Sequence, residues 1–189
     1  MMRDRPLPPG QHLTRGWPRL DLGIVPRFDP NTWTLKVDGG IENPLTLTWV
    51  QFTSVPTVSV VSDFHCVTGW SSLDNRWEGV NFRTLVDLVR PKPETKHVVF
   101  TCGDAGYTTN VPLDILLDPD VLLATRHNGG PLPLEHGGPM RLVVPKRYGW
   151  KSAKWVRQIT FLERDEPGYW EVRGYSNTAD PLKEDRYAF

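Results

Sequence analysis

Apolar residues come in short bursts along this chain, and most of the bursts have a readable period. Residues 33–37 (WTLKV) alternate apolar and polar and run into Asp38-Gly39-Gly40, the pattern of a strand and its turn. Residues 46–52 predict a short helix stopped by Pro56. The β-branched run at 58–66 (VSVVSDFHC) predicts a buried strand that ends at Cys66 and gives way to a loop. At 81–90, Phe82, Leu85, Val86 and Val89 fall on one helical face, with Pro91 beyond the end. Residues 97–102 (HVVFTC) predict a second buried strand and 107–111 a third, followed by a helical turn or two at 113–117. Further strands are expected at 121–126, with a turn over 127–130, at 142–144, and at 155–163. Strands and helices interleave irregularly, with hairpins among them. This predicts an α+β domain with a mixed β-sheet and short helices, not a doubly wound parallel sheet. Residues 1–31 have no clear period. They hold Trp17, Leu20, Leu22, Ile24, Val25 and Phe28, more large apolar groups than a free tail carries, so an extended arm packed on a domain of 32–189 is expected.

Composition sharpens this picture in a few places. Eighteen Pro and sixteen Gly in 189 residues explain why the elements are short. The 22 basic and 22 acidic residues cancel, which argues against a general nucleic-acid binder without excluding a local patch. No apolar run approaches the ~18 residues of a membrane span. The first twenty residues contain neither an apolar export core nor a twin arginine, so a cytoplasmic protein with reduced cysteines is the expectation.

Candidate chemistry centres on Cys66, where several readings compete. It is a core cysteine, a nucleophile served by His127 or His136, a zinc ligand with Cys102, His127 and His136, or a single thiolate to a transition metal whose other ligands come from an organic cofactor. His65 is a poor base for it, because adjacent strand residues point to opposite faces, and no hydrolase signature or zinc spacing surrounds the thiol. A second segment favours the cofactor reading. Residues 141–157 contain Arg141, Lys146, Arg147, Lys151, Lys154 and Arg157 with no acid among them, interleaved with Tyr148, Trp150 and Trp155. Aromatic groups are costly to leave in water, and Gly149 and Ser152 lie at an expected turn. The segment therefore reads as a lined groove with the parts of a phosphate clamp. Tyr107, in a glycine-flanked strand, either packs or moves a proton near a metal.

Four stretches, in this order and spacing, carry a resemblance: FHCVTGWSSLDNRWEGV at 64–80, GYTTNVPL at 106–113, DPDVLLATRHNGGPLPLEHGGPMRLVVPKRYGWKSAKW at 118–155, and PGYWEVRGYSNTADP at 167–181. From about residue 13 to 187 the chain resembles the molybdopterin-binding catalytic domain of the sulfite oxidase superfamily. It is most similar to compact bacterial members without a haem or dimerisation domain. The resemblance implies the sulfite-oxidase-type fold, molybdenum and molybdopterin as cofactor (the nucleotide form left open), and the Cys66 thiolate as metal ligand. It implies that Thr101, His136, Arg141, Ser152, Ala153 and Lys154 hold the pterin and its phosphate. It also implies that the arm near residues 23–27 closes over the pterin and that Tyr107 faces the substrate. The implied activity is two-electron oxygen-atom transfer on a small sulfur or nitrogen oxo-species, with an external electron-transfer partner. A non-catalytic pterin carrier of the same fold is the alternative, against which the retained thiol argues. One departure matters. Sulfite oxidases follow their cysteine with an arginine-containing stretch, whereas Val67-Thr68-Gly69-Trp70-Ser71 stands here, so a cation for sulfite would have to come from Arg76 or Arg126.

Overall fold

The computed structural model describes residues 6–189. In chain order its strands are β1 (His12–Leu13), β2 (Thr34–Gly39), β3 (Leu45–Thr48), β4 (Val58–His65), β5 (Trp70–Asn81), β6 (His97–Cys102), β7 (Thr108–Pro112), β8 (Leu122–His127), β9 (Gly130–Pro131), β10 (Arg141–Val143) and β11 (Val156–Leu162). Three short helices join them: α1 (Trp49–Thr53), α2 (Phe82–Val89) and α3 (Leu113–Leu116). The strands form two sheets. One runs β3-β2-β11-β6-β7, in which β2 and β11 are parallel and the other pairs antiparallel. The other runs β1-β5-β8-β10, with β4 also on β5 and β9 on β8; β1 is parallel to β5. This is the expected α+β class with mixed sheets and few helical residues.

Residues 46–52 do not form one helix. Leu45 and Leu47 pair across to β2, and the helix begins only at Trp49. Thr48 is the switch: its hydroxyl accepts from the Gln51 amide while the Gln51 side chain takes the Thr48 N–H, a capping box. Strand β4 is also less buried than its composition suggests. It lies on the edge of its sheet, with Val58 43% and Val61 58% exposed, and only Phe64 turns fully inward. Besides β3 and the two-residue β1 and β9, the long strand β5 is missing from the sequence reading. Its first half is polar (SSLDN), and Asp74 sits at positive φ beside a register shift in β4, which hides the alternation until Trp77.

The main apolar cluster joins Leu35, Val37, Val98, Phe100, Ile159 and Phe161 of the first sheet to Phe82, Leu85 and Val89 of α2. A second gathers Phe64, Cys66, Trp70, Trp77 and Val143 on the other sheet, and a third holds Tyr148, Trp150 and Ala179. Residues 6–31 have little regular structure beyond β1. Trp17 packs on the second cluster and Leu22 and Phe28 on the first, while Leu20 and Ile24 stay exposed.

Candidate active site

A cavity of about 340 Å³ opens where the three clusters meet. Cys66 stands on its wall at the tip of the β4–β5 hairpin. The hairpin loop is closed by Cys66 N–H to the Trp70 carbonyl (2.9 Å) and Gly69 N–H to the Cys66 carbonyl (3.0 Å). Gly69 sits at φ +99°, a conformation that disfavours side chains, so the tight turn presenting the thiol depends on it. The Cys66 carbonyl also accepts from Gln11 Nε2 (3.1 Å), and the polar neighbour of the Sγ is the Thr68 hydroxyl (3.2 Å). No histidine is its partner. His65 turns away to the Ser71 hydroxyl (2.8 Å), as strand alternation requires.

Arg141 supplies the charge. Its guanidinium is buried and donates to the carbonyls of His136 (2.9 Å) and Ser152 (2.8 Å), with a longer contact to that of Leu142 (3.4 Å). It lies near the faces of Trp17, Phe64 and Trp77. No carboxylate among the described residues pairs with it, and burial pulls its pKa down to about 10. A buried cation held only by carbonyls and rings is expensive. Lys154 stands near it on the same wall, donating to the Leu20 carbonyl (2.6 Å) with Asp21 at 3.8 Å. Burial, then the Arg141 charge, bring its pKa to about 8. His136 is stacked on Trp17 at 3.9 Å between ring centres. The Ser152 hydroxyl accepts from Val144 N–H (2.9 Å), and the Ala153 carbonyl takes Leu142 N–H.

Tyr107 lines the cavity too, but its hydroxyl donates to the Trp150 carbonyl (2.6 Å), and burial holds the phenol well above its ordinary pKa. Trp150, Trp170 and Tyr175 complete an aromatic wall beside Val67. Gly149 leaves room for this packing, since a Cβ there would come within 2.6 Å of the Phe64 ring.

Two further groups titrate abnormally. Asp104 lines the cavity with its Oδ1 buried and unpartnered, and burial raises its pKa from 3.8 to about 6. His127 packs between Trp17 and Trp77, and burial plus the Arg141 charge lower its pKa from 6.5 to about 4. Their effects on stability oppose one another. The folded state keeps the Asp104 proton longer than the unfolded state does, so Asp104 costs nothing below its unfolded pKa and its full penalty above about pH 6. The unfolded state protonates His127 first, so its contribution rises from about pH 4 to 6.5. Each is on the order of 2 kcal/mol after allowing for partial solvation. Asp104→Asn should therefore unmask the histidine: the urea midpoint of the variant should climb steeply between pH 4 and 6.5 and exceed that of the parent at pH 7. A profile that overlays the parent's would refute this assignment.

The fold thus gathers Cys66, Tyr107, His136, Arg141, Ser152, Ala153 and Lys154 around one cavity. Thr101 is not on its wall: alternation along β6 turns Cys102 into the core and Thr101 to the other face. Neither Arg76 nor Arg126 reaches the cavity; Arg126 pairs with Glu78 at 3.1 Å on the exposed side of β8. The basic segment is also divided. Lys146 pairs with Asp118 outside, Lys151 is buried against Glu171 at 2.6 Å, and Arg157 faces Trp33. Sequence reading missed Asp104, Trp170 and Tyr175. For the last two, the aromatic run in PGYWEVRGY was the available signal. The zinc alternative, already without support in the spacing, gains none from the fold: no group of three or more His, Cys, Asp or Glu among the described residues could hold a metal ion.

Residues 22–170 match the family described as the oxidoreductase molybdopterin binding domain. The chain belongs to this family. The uncharacterized oxidoreductase YuiH of Bacillus subtilis is 41% identical over 97% of this chain and 92% of its own length. The protein-methionine-sulfoxide reductase catalytic subunit MsrP of Campylobacter jejuni is 30% identical over 81% of this chain, which spans 57% of MsrP. Among solved structures, the sulfane dehydrogenase SoxCD of Paracoccus pantotrophus superposes with a TM-score of 0.68 at 25% identity, covering 74% of this chain and 40% of that one. The chain is thus an oxidoreductase with a molybdopterin-binding domain of the sulfite-oxidase type.

The cavity suits such a cofactor. Its volume is in the range of small-molecule sites. Arg141 and Lys154 want an anion, the orphaned Asp104 oxygen wants an N–H donor, and Cys66 offers a sulfur ligand beside apolar walls.

Proposed function

We propose that this chain binds molybdenum–molybdopterin in the cavity, with the Cys66 thiolate on the metal, and catalyses two-electron oxygen-atom transfer on small sulfur or nitrogen oxo-compounds. The observation that carries the reading is Arg141, a buried guanidinium without a carboxylate in the cavity that Cys66 also lines. Arg141, Lys154, the Ser152 hydroxyl and the 152–154 backbone would hold the phosphate side. His136 and Asp104 would meet the pterin. When bound, the cofactor supplies a metal that cycles by two electrons at a thiolate-softened centre. The protein's own part is to bind and orient it, to exclude water with Trp17 and the aromatic wall, and to hold the Tyr107 phenol neutral against the Trp150 carbonyl.

A neutral oxo-compound suits the substrate side better than sulfite. Among the described residues, Arg141 and Lys154 are the only basic side chains besides His136 on the wall, and both are assigned to the cofactor, leaving Val67, Thr68, Trp150, Trp170 and Tyr175 beside the thiol. MsrP, a sulfoxide reductase by name, points the same way. An external carrier would exchange the electrons. Protein made in a host that synthesises the cofactor should carry about one molybdenum per chain and should turn over methyl aryl sulfoxides or amine N-oxides faster than sulfite. A faster sulfite reaction would overturn the substrate assignment. Full molybdenum with no turnover of any of the three would favour the carrier alternative.

A further inference from the structure

Glu171 does not line the cavity and has been given no role above, yet its Oε1 is a heavily used acceptor directly behind the wall. It lies in a short 3₁₀ turn (Glu171–Arg173) and is 8% exposed. One oxygen, Oε1, takes three donors: Lys151 Nζ at 2.6 Å, Trp150 Nε1 at 2.9 Å and Thr109 Oγ1 at 3.0 Å. Its second oxygen is buried and unpartnered. Lys151 spends its remaining donors on the Asn110 carbonyl (2.8 Å) and side chain (3.1 Å), so the ammonium is locked to β7. A lone carboxylate thus ties β7 to the 3₁₀ turn Gly149–Lys151.

What that turn presents to the cavity is Trp150. Trp150 lines the wall; its ring stands edge-on to Tyr175 at 5.3 Å and stacks with Tyr148 at 5.6 Å, while its carbonyl accepts the Tyr107 hydroxyl. Without its N–H bond the indole would be free to adopt other rotamers, since ring packing alone fixes the plane less sharply than a charge-assisted hydrogen bond. We propose that Glu171 is a positioning residue that sets the Trp150 ring, and through it the shape of the substrate side of the cavity. This rests on the reading that the aromatic wall beside Cys66 receives the substrate.

The test uses the full chain with Glu171→Gln, Trp150→Phe and the double variant. Trp150→Phe keeps an aromatic ring but removes the N–H that Glu171 holds. In ¹⁵N spectra of cofactor-free protein, the indole resonance lost in Trp150→Phe identifies Trp150, and Glu171→Gln should shift that resonance more than the other tryptophan indoles. In the molybdenum-loaded protein, each single variant should raise the sulfoxide KM about tenfold, the scale of one charge-assisted hydrogen bond, with a smaller change in kcat. The double variant should be no worse than the weaker single. An unmoved Trp150 indole, or additive effects in the double variant, would overturn the proposal. Should neither parent nor variants turn over sulfoxide while the indole still moves, it is the substrate reading that fails. If Glu171→Gln does not fold, Thr109→Val, which removes one donor to the same oxygen, should shift the same indole resonance.

Discussion

Cys66→Ser should give a folded protein with less than about 1% of the parent's turnover. Loss of groups that only support a metal ligand already costs roughly 10–100-fold, and loss of the ligand itself should cost more. Folding should survive because the hairpin loop is closed by backbone bonds and the thiol's recorded side-chain partner, Thr68 Oγ1, can equally bond a serine hydroxyl. A change in unfolding free energy within about 1 kcal/mol is expected for such a swap. Circular dichroism, molybdenum content and sulfoxide turnover measured on one preparation would check all three statements. Full turnover in the serine variant would remove the metal-ligand role.

Arg141→Met should separate cofactor binding from folding. The guanidinium offers an anionic cofactor charge-assisted hydrogen bonds worth about 1.5–3 kcal/mol, so retention should weaken about 10- to 150-fold. The cofactor-free protein should change little in melting temperature. Three carbonyls lose a donor, but a buried charge without a counter-ion is removed as well, and the two effects oppose each other. Lys154→Ala should weaken retention less, because that side chain is less buried and already has the Asp21 carboxylate 3.8 Å away. The check is molybdenum per chain after prolonged dialysis, with melting temperatures of loaded and empty protein. Retention by Arg141→Met equal to that of the parent would contradict the assignment.

Much of this was legible in the residues because some signals are local. The apolar face of α2, the alternation in β2 and the apolar run of β6 each lie within one element, and the ordered motifs around Cys66 and the 141–154 segment led to the cavity. What escaped was set by tertiary contacts. The basic run looked like one face, yet the 3₁₀ turn rotates successive side chains apart, sending Lys151 inward to Glu171 and Lys154 to the cavity. Nothing in the residues around Asp104 marks it out; its burial, with Oδ1 left unpartnered, comes from the fold. Thr101 and Asp104 are three residues apart, and where β6 ends decides which of them meets the cavity.

The attachment of the N-terminal arm has a kinetic consequence. Two residues of β1, the Gln11 amide on the Cys66 carbonyl and on Ser71, Trp17 on His136, and Leu20 on Lys154 hold it to the site. These tethers are separate contacts between positions far apart in the chain, whereas the sheets beneath are laced by continuous ladders. Segments held so lightly exchange their amide hydrogens through local opening, at a free energy well below that of global unfolding. Amides of residues 11–22 should therefore exchange faster than those of β5 and β8, and a roof that opens over assembled walls would give a bulky prosthetic group a way into a chain already folded.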